Sequence, residues 1–318
     1  MEHVTAGLLG PVEWTSTIAK ETSNTSFGVG ALKRDEKIAT TVYPSKYPEK
    51  IWSLLFPLYL SHKIYLNIQK IDRYLGETII ALEMLNKKDG KVHMGELVDR
   101  EMFNRISKGT VLQGYARMDP DPAAMREELL DLEPHGKGSW TNIVVDQAFN
   151  VKGVGCVALG FVLDGVVSKH QELFTCPGGK RTRVRSIQIH DKEYDEASTG
   201  ARVGIALKNI SPEDLPRGAS LSPDGSPIEE IDRARVSFRI SEHWKDGFSE
   251  GDHLHICNHL QFTPAVIRNL SFHEDEKIHY MTSDVILENS IWRGPGDRIG
   301  LSYLDSGSFR FLGAGETI

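Results

Sequence analysis

An α/β layer followed by all-β units is the fold class this sequence predicts, and three observations carry the prediction. Up to about Trp140, short apolar runs alternate with stretches of helical periodicity, the pattern of an α/β layer on a mostly parallel sheet. After Trp140 come short β-type runs spaced by Gly, Pro or Asp turns, the signature of a small barrel or sandwich. The turn-rich stretch "LSPDGSPIEEIDR" then divides the β-rich part in two.

Taken in order, "HVTAGLLGPVEWTSTIAKE" runs from an apolar segment through Gly10 to a polar turn and a helix, the way a phosphate-binding loop begins. "KIYLNIQKI" reads as a strand, "GETIIALEMLNKK" as a helix with Gly76 before it, and "DREMFNRISKG" as a helix stopped by Gly109. "DPDPAAMREELLDLEPHGKGSW" is a domain boundary around one short helix. "TNIVVDQAFNV", "GCVALGFVLDGVV", "RTRVRSIQIH" and "ARVGIALKNI" are the strands of the first β unit. "RARVSFRIS", "DHLHICNHLQF", "IHYMTSDVILEN" and "GSFRFLGAG" are those of the second.

Hydrophobic content of 40% and charged content of 25% are ordinary for a globular chain of 318 residues. The greasiest run, "IWSLLFPLYL", is about half the length of a membrane span, and the N-terminus lacks a signal-peptide pattern. Cys156, Cys176 and Cys257 form no CxxC pair, which points to a reducing cytoplasm and no structural zinc. The triplets at Asn24, Asn209 and Asn269 are then chance matches to a glycosylation motif. A net charge of −7 argues against wholesale wrapping of DNA or RNA while leaving room for a local basic patch.

The middle segment carries a family resemblance. "DQAFNVKGVGCVALGFVLDGVV", "RTRVRSIQIH" and "ASTGARVGIALKNISPEDLPRGASL" follow, in order and in turn spacing, the second domain of translational GTPases. The likeness is to the selenocysteine-specific elongation factor first and to elongation factor Tu more distantly. "FRFLGAGETI" resembles the last strand of that family's third domain. The resemblance implies a shortened, degenerate G-like domain over residues 1–138 and two β-barrels of the translation-factor type over 139–230 and 231–318.

In that frame Gly10-Pro11-Val12-Glu13-Trp14-Thr15-Ser16-Thr17 stands where the family has Gly-His-Val-Asp-His-Gly-Lys-Thr. Thr15 replaces the Gly that lets backbone N–H groups close around the phosphates, and Ser16 replaces the Lys that reaches the β- and γ-phosphates. Thr17, which in the family binds magnesium, is retained. The expectation is a loop that keeps its outline and loses its chemistry, with Trp14 or a neighbour in the phosphate position. For the Thr15 and Ser16 hydroxyls the plain alternative is a helix cap. The second motif, Asp-Cys-Pro-Gly-His in the family, falls on Val42, Tyr43, Pro44, Ser45 and Lys46, with only Pro44 kept. The segment from Thr17 to Val42 is too short for the usual first switch. The base-specificity motif Asn-Lys-x-Asp has one candidate in Gln69-Lys70-Ile71-Asp72. The helix that follows moves the true position to "VHMGELVDRE", where Gly95 and Glu96 replace Asn and Lys.

The resemblance therefore implies a non-catalytic, pseudo-GTPase elongation-factor paralogue in the cytoplasm. It is expected to hold neither GTP nor magnesium tightly and to bind ribosome, tRNA or another translation factor through its barrels. A divergent GTP-binding factor and a scaffold subunit of a non-ribosomal complex are the alternatives.

Two further groupings come from the residues alone. Lys180, Arg181, Arg183 and Arg185 lie within six positions, and the three arginines share one strand face, a geometry suited to RNA phosphates or to a solvated strand. His253, His255, Cys257 and His259 also share a strand face, but residues two apart on a flat strand diverge, so a polar barrel face is expected rather than zinc. Gly153 and Gly155 are turn glycines, not half of a dinucleotide fingerprint.

Overall fold

The computed structural model describes residues 2–133, 138–242, 249–275 and 278–318. Its N-terminal unit runs β1 (Glu2–Leu9), α1 (Val12–Ile18), β2 (Lys20–Asn24), β3 (Gly28–Arg34), β4 (Lys37–Tyr43), α2 (Trp52–Leu60) and β5 (Lys63–Ile68). It continues with α3 (Arg73–Met84), β6 (Gly90–Met94), α4 (Arg100–Ser107), β7 (Ala116–Arg117) and α5 (Pro122–Leu130). Among the described residues these strands make one seven-stranded sheet, in the order β2-β3-β4-β1-β5-β6-β7. β1 lies parallel to β4 and β5, and β5, β6 and β7 continue in parallel. β2, β3 and β4 form an antiparallel meander at the other edge. Ala6, Leu8, Leu9, Ile64, Tyr65 and Leu66 are all buried, as expected of central strands covered on both faces.

Short polar caps fix where the helices begin. Asp72, Asp99 and Asp121 each accept two backbone N–H bonds at the start of α3, α4 and α5, and Pro122 occupies the first turn of α5. α3 therefore starts three residues before Gly76, not after it. Gly76 is tolerated inside the helix because the Phe309 ring packs where its Cβ would be, 3.1 Å away. "IWSLLFPLYL" folds as α2 and its preceding turn, buried on nearly every side. No helix of the described residues is long and apolar enough to cross a membrane.

The first β unit contains β8 (Asn142–Val151), β9 (Gly155–Asp164), β10 (Val166–Ser168), β11 (Glu172–Cys176) and β12 (Arg181–Ile189). β13 (Lys192–Tyr194), β14 (Glu196–Ser198), β15 (Arg202–Lys208) and β16 (Ser220–Ser222) complete it. The order β11-β16-β8-β9-β15-β12 is closed by pairing of β11 with β12, so the unit is a six-stranded barrel among the described residues. Gly153 and Gly155 form the β8–β9 turn with positive φ. The second unit contains β17 (Glu229–Ile240), β18 (His253–Asn258), β19 (Gln261–Asp275), β20 (Ile278–Arg293), β21 (Ile299–Ser302) and β22 (Phe311–Thr317). It closes in the order β17-β20-β19-β18-β21-β22. The Gly-Ala-Gly of β22 has a steric cause: a Cβ on Gly313 or Gly315 would come within 2.0 Å and 2.1 Å of the Arg239 and Ser237 carbonyl oxygens of β17.

One apolar cluster runs through all three units, joining Leu55, Leu58 and Ile79 to Val144 and Phe161 of the first barrel and to Trp292 and Phe311 of the second. Polar contacts seal the joints. Between the sheet and the second barrel, Glu77 of α3 accepts from the Arg310 backbone N–H (2.7 Å), from its guanidinium (2.6 Å) and from the Tyr47 hydroxyl (3.0 Å). The other arm of Arg310 donates to the Pro48 carbonyl at 2.7 Å. The Tyr59 hydroxyl of α2 lies 2.7 Å from the Arg298 carbonyl and accepts from Gly300 N–H. Between the sheet and the first barrel, Arg217 binds the Asp146 carbonyl at 3.0 Å and the Thr25 hydroxyl at 2.9 Å. Between the barrels, buried Trp292 donates to the Gly218 carbonyl and stacks on His259.

Because Glu77 is only 3% exposed, removing its partner would leave a buried, uncompensated carboxylate. Arg310→Met is expected to cost about 3–5 kcal/mol in chemical denaturation, whereas Arg310→Met with Glu77→Leu recovers much of that loss. Thermal unfolding of the unaltered chain should show one calorimetric transition, since the core is shared.

Candidate functional site at the sheet crevice and on the first barrel

In an open α/β sheet, ligands bind outside the carboxyl ends of the strands where the strand order reverses. Here that place is the end of β1, between β4 and β5. Only Gly10 and Pro11 separate β1 from α1. The segment Val12–Thr17, expected to keep the outline of a phosphate loop, is helical instead. The N–H groups of Trp14 and Thr15 both donate to the Pro11 carbonyl, at 3.1 Å and 3.2 Å, so they are spent inside the helix.

The expected helix cap is also corrected. Pro11 holds the N-cap position with no side-chain hydrogen bond. The hydroxyls of Thr15, Ser16 and Thr17 donate back to the carbonyls of Val12, Glu13 and Trp14, at 2.8, 2.8 and 2.7 Å. The Trp14 indole closes the crevice, donating to the Pro120 carbonyl at 2.9 Å and lying 3.2 Å from where a Gly10 Cβ would stand. Asn67, at the end of β5, fills the other side of Gly10 and accepts from Gln69 at 2.6 Å.

The other sequence-predicted positions have structural partners. Val42 is buried at the end of β4, and the Pro44 carbonyl accepts from Tyr47 N–H. Ser45 donates to the Asn24 side chain at 2.6 Å, and the Lys46 backbone N–H donates to Ser53 while its side chain is exposed. Gln69, Lys70, Ile71 and Asp72 form a capped turn before α3. Burial alone would raise the Asp72 carboxyl, but Lys70 at 2.9 Å and the two α3 N–H groups hold it below the ordinary carboxylate value. Gly95, immediately after β6, donates its N–H to the Ile68 carbonyl, and a Cβ there would strike Gln69.

On the first barrel Arg181, Arg183 and Arg185 are exposed on one face of β12, alternating with buried Thr182 and Val184. Their charges are unequal in availability. Lys180 pairs with Asp214 and holds that carboxyl below its usual range, and Arg181 pairs with Glu172. Arg183 and Arg185 instead donate one N–H each to the His170 and Val154 carbonyls, at 2.9 Å and 2.8 Å, and neither is in an ion pair among the described residues.

Of the histidine row, His253, His255 and Cys257 alternate along one face of β18, and His259 leaves it. His253 is exposed, His255 stacks on Phe262, Cys257 is fully buried, and His259 lies beyond β18 at positive φ, paired with Asp297 at 3.0 Å. Among the described residues no three His, Cys, Asp or Glu side chains converge on a metal-sized site. Sequence reading missed β2–β4 and the Glu77–Arg310 pair. The β-branched run "KIATTVY" after the turn-forming Asp35 was the available signal for the former; the latter lies 233 positions apart and left no local sign.

Comparison with known proteins places this geometry. Residues 155–222 match the family model for elongation factor Tu domain 2. An uncharacterised protein of Methanocaldococcus jannaschii is 30% identical over 319 residues, covering 99% of this chain and 100% of that one. The selenocysteine-specific elongation factor of the same organism is 26% identical over 67% of this chain, and the match spans 49% of the factor. The crystal structure of elongation factor SelB from Methanococcus maripaludis with the GTP analogue GppNHp superposes with a TM-score of 0.78 at 18% identity, covering 100% of this chain and 79% of that one. The chain is related to the translational GTPases of the SelB and EF-Tu type and is a translation-factor-like protein.

Proposed function

We propose that this chain is a non-catalytic paralogue of the elongation factors that docks on the RNA of the translation machinery, ribosome or tRNA, through its barrels. The G-like unit serves as a scaffold. The observation that carries the reading is the helical state of Val12–Thr17. A phosphate loop works by pointing free N–H groups and a lysine at the β- and γ-phosphates. Here the N–H groups of Trp14 and Thr15 are bonded within α1, the three hydroxyls are bonded within α1, and Ser16 stands in the lysine position. Trp14 and Asn67 occupy the crevice. Val42 and the helix Trp52–Leu60 are packed into the shared core, and Tyr47 packs against it from the turn between them.

Arg183 and Arg185 are the docking cations, since among the described residues neither is paired with a carboxylate. A scaffold in a non-ribosomal complex is the second reading. The pairing of Lys180 and Arg181 with Asp214 and Glu172 favours it, because it halves the charge the strand can offer to phosphates. Sucrose-gradient profiles of the tagged chain from its own cells discriminate the two: co-migration with ribosomal particles at low salt supports the first, a discrete non-ribosomal complex the second.

Titration calorimetry with GDP–magnesium is expected to give no measurable heat of binding. The double variant Thr15→Gly with Ser16→Lys should stay silent too, since restoring residue types does not restore a loop. A dissociation constant in the low micromolar range for the unaltered chain would contradict the reading.

Replacing Arg183 and Arg185 together by Gln should weaken RNA binding alike across sequences and flatten the salt slope by about 1.5 units, two phosphate contacts' worth. Adding Arg181→Gln should change the slope little further. The stability of the barrel should move by no more than about 0.5 kcal/mol per exposed substitution. An unchanged slope would remove β12 from the interface.

A further inference from the structure

The structure also contains a cleft lined by none of the phosphate-loop residues and none of the β12 arginines. It lies between α3 and α4 on one side and β17 and the start of β20 on the other, with a volume of about 920 Å³, within the range of built binding sites. Its floor is apolar: Ile79 and Ile80 of α3, Ile106 of α4, Ile240 of β17 and Phe309. Gly76 keeps the floor open beside the Phe309 ring. Met102 stands at the α4 edge, 38% exposed.

The charges around this floor are one-sided in what they have left to offer. Asp72 is committed to the α3 N–H groups and Lys70. Both Glu83 oxygens are engaged, one by Arg239 at 2.9 Å and one by Val111 N–H at 2.8 Å. Glu242 also has a partner, and His279 faces Glu274 at 3.8 Å. Arg73, Arg105 and Lys108, by contrast, line the helical rim, exposed and in no ion pair among the described residues; Arg73 only covers the Tyr74 ring. An acidic chain thus presents an apolar trough edged by three uncompensated cations.

We propose that this cleft is the docking site for an amphipathic helical segment of a partner protein, with apolar anchors on one face and Asp or Glu along its flank. Apolar side chains at helical spacing would fill the Ile79–Ile106–Phe309 floor, the mode in which a helix is recognised in a groove. Carboxylates on the flank would meet Arg73, Arg105 and Lys108, which steers encounter and sets orientation. The flexible side chain of Met102 at the edge suits such a surface to anchors of varied shape. The inference is independent of the RNA reading, since it uses none of the β12 residues.

The test is selection of displayed random peptides of about 15 residues, roughly four helical turns, on the immobilised full chain. Selected peptides should carry net negative charge and apolar residues at i, i+3, i+4 and i+7. In fluorescence anisotropy they should lose about tenfold in affinity for Arg105→Glu with Lys108→Glu, two exposed changes that leave the melting temperature nearly unchanged. Met102→Glu, also exposed, should weaken them in the same way. Absence of enrichment over an empty support, selection of basic or neutral peptides, or equal affinity for the charge-reversed variant would overturn the proposal. So would sedimentation showing a dimer of the unaltered chain that the charge-reversed variant abolishes, because the occupant would then be a second copy.

Discussion

A buried carboxylate in the middle of α3 has to be answered, and the answer organises this molecule. Glu77 is buried, and its partner Arg310 arrives from the segment leading into β22 of the second barrel. Isolated charges in such a place would be driven to neutralise or to stay in water. The pair survives because it is over-determined: the Arg310 main chain, the Tyr47 hydroxyl and the Pro48 carbonyl saturate the remaining lone pairs and protons. With that joint fixed, α2 is held between the sheet and the barrel, where Tyr59 reaches the backbone of Arg298 and Gly300. Arg217 and Trp292 fix the first barrel against the other two units.

The proposed scaffold reading rests on how the turns that face the crevice are tied to the rest of the fold. The turn after β4, where the family resemblance puts the second nucleotide motif, supplies Tyr47 and Pro48 to the Glu77–Arg310 network. The turn after β1 has been replaced by a helix start sealed by Trp14. The proposed recognition surfaces lie elsewhere: Arg183 and Arg185 on the first barrel, and the cation-edged cleft between α3 and α4 and the second barrel.

The legible parts of this fold were those with local causes. The β12 alternation of charged and apolar residues is the period-two pattern of a strand with one solvated and one buried face, and the turn glycines around it fixed the strand spacing. Gly313 and Gly315 were visible as a motif, and their reason, contact with the β17 carbonyls, became clear only in three dimensions. The start of α1 was misplaced because the family pattern was laid over Gly10–Thr17. Pro11, which fixes φ and sits at the helix start, was the local sign that the loop had been shortened. Asp72 was weighed as a base-recognition residue because its capping role depends on where α3 begins. The histidine row holds as a face only through Cys257, because β18 ends at Asn258 and a turn at positive φ carries His259 away towards Trp292.

Hydrogen exchange of the amides from Val12 to Thr17 and from Pro44 to Leu60, measured with and without millimolar GppNHp–magnesium, tests most directly whether this G-like unit has become a fixed scaffold. The account predicts identical protection in both conditions, with the amides of Trp14 and Thr15 already protected by their bonds to Pro11. Nucleotide-dependent protection in either segment would contradict it.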